Sequence, residues 1–115
     1  MDNKQYIEQL CRDARDASRT VAGYGTVLKN NLLLKMAADL RRKADFIIAG
    51  NKKDLAAAEQ AGVSGALYDR LLLNRERIDG MAVSIEEIAA LPDPVGRIER
   101  MIVRPSGIRV GQMRI

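Results

Sequence analysis

The sequence predicts a mainly α chain of about five helices followed by a β-hairpin, and three observations support this. Apolar residues recur at three- and four-residue steps from Ile7 to Val21, from Leu33 to Ile47 and from Ile78 to Ile88, each set marking one face of a helix. Aromatics are only 3% of the chain, with Phe46 the single Phe and no Trp. A core must then be built from Leu, Ile, Val, Met and Ala, which suits helices better than aromatic-rich strands. Beyond Leu91 the pattern turns to β-prone runs bounded by Pro and Gly.

The first helix is expected over residues 2–22, with Ile7, Leu10, Cys11, Ala14, Ala17 and Val21 on one face. Gly23-Tyr24-Gly25 ends it, and Thr26 stands where a cap for the second helix belongs. There Leu33, Met36, Ala37, Leu40, Ala44 and Ile47 repeat the spacing, Arg41-Arg42-Lys43 fall on the outer face, and Gly50 is expected to stop the helix. Asn51 reads as the cap of a short helix, KKDLAAAEQA, closed by Gly62. Ser64 opens another short helical stretch to Leu71. Asn74 caps a fifth helix with Ile78, Met81, Ala82, Ile85 and Ile88 inward. Pro92 and Pro94 then favour extended backbone, and the runs Arg97–Val103 and Ile108–Ile115 flank the turn Arg104-Pro105-Ser106-Gly107. The expected organisation is a helical segment, 1–96, followed by the start of a β-hairpin, 97–115. The stop at Ile115 falls inside a strand pattern, as expected of a truncated piece of a longer protein.

The composition excludes several functions. Hydrophobic residues make up 47%, too many for a disordered chain. The net charge of +4 lies wholly after residue 96, where Arg97, Arg100, Arg104, Arg109 and Arg114 face only Glu99. No aromatic interleaves them, so a nucleic-acid surface is not expected. One cysteine precludes an internal disulfide and fits a reducing cytoplasm. The N-terminus has no signal-like apolar run, and stretches such as Leu32-Leu33-Leu34 are far below the roughly 18 residues of a membrane span. A soluble, cytoplasmic chain is expected.

Catalytic groups are sparse. There is no histidine, and hence no near-neutral acid–base group and no Cys/His metal cluster. Cys11 shares its helix face with Ile7, Leu10 and Ala14, so it reads as a buried apolar residue and not as a nucleophile. Gly23-Tyr24-Gly25 begins like a dinucleotide fingerprint, but Leu28 replaces the third glycine and a helix precedes the pair where a strand is needed. Arg41-Arg42-Lys43, near Asp39 and Asp45, read as a solvated face. Glu86 and Glu87, adjacent on a helix, diverge by about 100° and form no catalytic pair.

Residues 51–96 hold a set of short motifs. Asn51, Asp54 and Leu55 form Asn-x-x-Asp-Leu, and Ala61-Gly62-Val63-Ser64 follows. Leu67, Asp69, Arg70 and Leu71 form Leu-x-Asp-Arg-Leu. Arg77, Ile78, Met81 and Ala82 give Arg-Ile-x-x-Met-Ala, and Leu91, Asp93, Pro94, Val95 and Gly96 close the series. In order and spacing these resemble the γ-glutamyl phosphate reductases of the aldehyde-dehydrogenase superfamily. Gly65-Ala66 departs from the pattern, since a Glu is common there.

The resemblance implies the N-terminal part of an α/β aldehyde-dehydrogenase-like fold, packed on a nucleotide-binding domain of its own chain and followed by an oligomerisation hairpin. It implies NADPH-dependent reduction of L-glutamate 5-phosphate to L-glutamate 5-semialdehyde in proline biosynthesis, through a cysteine thioester, by a homo-oligomer. The catalytic cysteine and the cofactor loops would lie beyond Ile115, so no catalytic, cofactor or metal residue is expected here and the segment alone should be inactive. By analogy with related dehydrogenases, Tyr68, Asp69 and Arg70 are candidates for the substrate entrance, with Arg70 suited to a substrate carboxylate. The alternative is a helix end that only docks on the next domain. The rival reading of the whole chain is a freestanding helical module whose basic hairpin binds an acidic partner or nucleic acid.

Overall fold

The structure, a computed structural model, describes residues 2–115. Five helices run in order: α1 (Asn3–Ala22), α2 (Thr26–Arg42), α3 (Ala44–Gln60), α4 (Ala66–Leu71) and α5 (Arg75–Ala90). The strands β1 (Ile98–Val103) and β2 (Arg109–Met113) follow as an antiparallel pair. The mainly α segment with a terminal hairpin is therefore borne out.

The chain divides into two units, Met1–Leu28 with Pro92–Ile115, and Lys29–Leu91. In the second, α3 packs against α4 and α5. Every buried residue among those described lies there: Ala37, Ala44, Asn51, Leu55, Ile78 and Ala82. Ala37 and Ala82 are fully covered and Ala44 nearly so, and Ile78 is the one large side chain with almost no exposure.

In the first unit α1 opens with a capping box: the Asp2 carboxylate accepts from the Gln5 amide at 2.8 Å, and the Gln5 side chain accepts from the Asp2 amide at 3.3 Å. No residue of α1 is buried. Its apolar stripe is present, but Cys11 is exposed and not buried as expected. Amphipathic spacing marks a face but does not by itself supply the surface that covers it.

In the hairpin the Gly107 amide donates to the Arg104 carbonyl at 2.8 Å, with Gly107 at φ 86°, where a side chain would be strained. The strands are shorter than the expected runs, leaving Arg97, Ile108, Arg114 and Ile115 outside them. The register slips between Glu99 and Ile102, where Arg100 and Met101 oppose Gly111 alone, and Arg100 takes φ 51°. A Cβ on Gly111 would sit 3.0 Å from Ile98 Cγ2, so the glycine gives the bulge its room.

Three helix boundaries differ from expectation. Gly50 does not stop a helix and Asn51 does not cap one, because α3 runs through both and Gly50 keeps helical backbone. The break comes instead at Lys43, between α2 and α3. Thr26 is the first residue of α2, and its hydroxyl donates to Asp93 Oδ2 at 2.8 Å instead of capping. Ser64 does not open α4; Gly65, at φ 62° and ψ −134°, precedes it. Asn74 does cap α5, accepting from the Arg77 amide at 2.8 Å.

Candidate functional site

The three candidate entrance residues lie on one turn, α4, and meet different fates. The Tyr68 hydroxyl donates to Glu59 Oε1 at 2.9 Å. That bond to a carboxylate, with some desolvation, holds the phenol above its ordinary pKa, so Tyr68 stays a donor. The Asp69 carboxylate accepts from Arg77 Nη2 at 2.8 Å. Arg70 is exposed and makes no ion pair or side-chain hydrogen bond among the described residues.

The backbone around Arg70 is held from two sides. Asn51, 6% exposed, donates through Nδ2 to the Leu71 carbonyl and accepts at Oδ1 from the Leu73 amide, both at 2.8 Å. Arg77 Nη1 donates to the Asp69 carbonyl and, at 2.8 Å, to the Leu72 carbonyl. Neither contact was foreseen from sequence. The signal available was a polar residue four positions from both Ile47 and Leu55 on one helical face, since a polar side chain buried there needs partners.

A second cluster ties α2 to α5. The Arg41 guanidinium bonds Asp79 Oδ1 at 2.6 Å and both oxygens of Glu86, with Nη2 to Oε2 at 3.0 Å. Asp79 and Glu86 are seven residues, about two turns, apart on one face of α5. The bond from Arg41 holds the Glu86 carboxyl below its ordinary range, and Glu86 and Asp79 hold Arg41 firmly charged. Thus Arg41 is not merely a solvated residue, although Arg42 fits that description, pairing at the surface with Asp39 at 2.7 Å. Glu86 is committed to Arg41, so no free carboxylate pair exists with Glu87.

Beside this cluster an open groove of about 410 Å³ is lined by Met36, Leu40, Ile47, Met81 and Ile85, with Asp39 and Lys43 at its rim. Met81 and Ile88, expected inward, are 46% and 54% exposed. Among the described residues no group of His, Cys, Asp or Glu is arranged to hold a metal, and no helix is long and apolar enough to cross a membrane. Gly23-Tyr24-Gly25 ends α1 and leads into α2 with no strand before it, which does not fit a dinucleotide phosphate.

The helical segment and its hairpin match part of a class of larger oxidoreductases, of which the chain spans about a quarter. Those relatives are γ-glutamyl phosphate reductases. The enzyme of Persephonella marina is 47% identical over 115 residues, which cover all of this chain and 26% of the relative. That of Thermodesulfovibrio yellowstonii is 42% identical over 115 residues, 28% of its length. The crystal structure of the Thermotoga maritima γ-glutamyl phosphate reductase matches with a TM-score of 0.85 at 33% identity, over 89% of this chain and 25% of that one. No family model matches the chain. The resemblance carried by the motifs from Asn51 to Gly96 is borne out, and the chain has the fold of the N-terminal part of that enzyme. Nothing in these likenesses supports the freestanding acidic-partner or nucleic-acid module.

Proposed function

We propose that this segment works within a reductase that converts L-glutamate 5-phosphate to L-glutamate 5-semialdehyde with NADPH, in cytoplasmic proline biosynthesis, as a homo-oligomer. The observation that carries the reading is similarity to γ-glutamyl phosphate reductases over the whole chain at 42–47% identity. NADPH and the reactive cysteine are assigned to the remainder of the protein, as the resemblance to the reductases implies. The segment's own part is to present helix faces and the hairpin to that remainder and to a second subunit. Within it Arg70 offers an uncommitted guanidinium to the substrate carboxylate.

The test is a chimera in which this chain replaces the matching quarter of the Thermotoga maritima enzyme. A folded chimera should oxidise NADPH with γ-glutamyl phosphate, while the 115 residues alone should not. Turnover by the isolated chain that survives Cys11→Ala, or a folded but inert chimera, would overturn the assignment. In the active chimera Arg70→Ala should raise KM ten- to a hundredfold, about 1.4 to 3 kcal/mol. An unchanged KM with a lower melting temperature would assign Arg70 to domain docking.

A further inference from the structure

We infer that Asn51 and Arg77 are positioning residues whose joint hold on residues 69–73 forms a rigid mount for the Arg70 guanidinium. This rests on the reading of Arg70 as a carboxylate-binding group. Two side chains, one from α3 and one from α5, together engage the Asp69, Leu71 and Leu72 carbonyls and the Leu73 amide. Ending α4 needs none of them, because the Leu72 amide already donates to the Tyr68 carbonyl at 3.1 Å. Arg70 sits inside the held run and is left free. The other arginines of Lys29–Leu91 are all in ion pairs: Arg41, Arg42, Arg75 and Arg77.

A fixed backbone beneath an unpaired guanidinium favours a planar carboxylate met by two parallel N–H bonds. The ligand orders only the side chain, and the backbone needs no further ordering on binding. Loosening the mount should therefore weaken substrate binding through Arg70, and only through Arg70. Asn51→Asp is the informative variant. It keeps the acceptor for the Leu73 amide and replaces the donor to the Leu71 carbonyl with a second acceptor.

The experiment is a double-mutant cycle in the chimera. With Arg70 present, Asn51→Asp should raise KM for γ-glutamyl phosphate about three- to tenfold with kcat little changed. In the Arg70→Ala background the same change should leave KM where it is. A KM effect of Asn51→Asp that persists without Arg70, or none with it while Arg70→Ala still raises KM, would overturn the mount and spare the Arg70 reading. An unchanged KM on Arg70→Ala would overturn both. Hydrogen exchange on the 115-residue chain gives a second measurement, free of activity: Asn51→Asp should speed exchange at residues 70–73 and leave the first turns of α5 unchanged. Unaltered exchange there would also overturn the mount.

Discussion

Lys29–Leu91 and the unit formed by Met1–Leu28 with Pro92–Ile115 both carry apolar faces, yet among the described residues only the first, the more apolar of the two, fully buries any side chain. In Lys29–Leu91, Ile78 is 1% exposed and Ala37 and Ala82 are fully covered. In the other unit Ile7, Leu10, Ile98 and Val103 are all 45% exposed or more, although α1 has a clear apolar stripe and the hairpin is well paired. Helical periodicity shows which face would be buried. Whether it is buried depends on a second surface, which periodicity along one helix does not report.

The contrast can be broken most directly at Ile78. Ile78→Ala should cost about 2 to 5 kcal/mol, enough to unfold so small a core, whereas Leu10→Ala in α1 should shift stability by no more than about 0.5 kcal/mol. Thermal melts of the two variants compare them, and equal losses would mean that α1 is packed after all. Asn51→Leu comes next, since it strands the Leu71 carbonyl and Leu73 amide. A loss of about 1 to 3 kcal/mol in denaturant titration is expected. Self-association is the third expectation, because the apolar stripe of α1 and the hairpin edge both remain open. Light scattering should show mass rising with concentration; a monomer at high micromolar concentration would show that these faces need no partner.

The smallest effect concerns pH. The Glu86 carboxyl is held below its ordinary value of 4.5 by its bond to Arg41, so folding is favoured by its charged form. The stabilisation is in place at neutral pH and is lost as pH falls below 4.5 and through the lowered native value. Asp39, held below 3.8 chiefly by its bond to Arg42, acts in the same direction and window. The melting temperature should therefore decline less between pH 6 and pH 3 in Glu86→Gln than in the parent. Parallel curves would make the Arg41 cluster energetically idle, as exposed ion pairs often are.

Sequence alone determined what depends on neighbours along the chain. Helical spacing located α1 and α5, Asn74 declared the cap of α5, and Pro105 with Gly107 declared the hairpin turn. The motifs from Asn51 to Gly96 make the relation to the reductases legible in the sequence itself. Local rules failed where a distant partner outweighed them. Gly50-Asn51 looks like a stop and a cap by composition, but burial of Leu55 and the two bonds from Asn51 to residues twenty and twenty-two positions away favour a continuous α3. Likewise Arg41 reads as solvated until α5 brings Asp79 and Glu86 to it, and Cys11 reads as buried because nothing on its own helix tells whether another surface covers it. Of Tyr68, Asp69 and Arg70, sequence could only name the three. Tertiary structure decided which is spoken for, because Glu59 and Arg77 reach the first two from other helices and leave the third free.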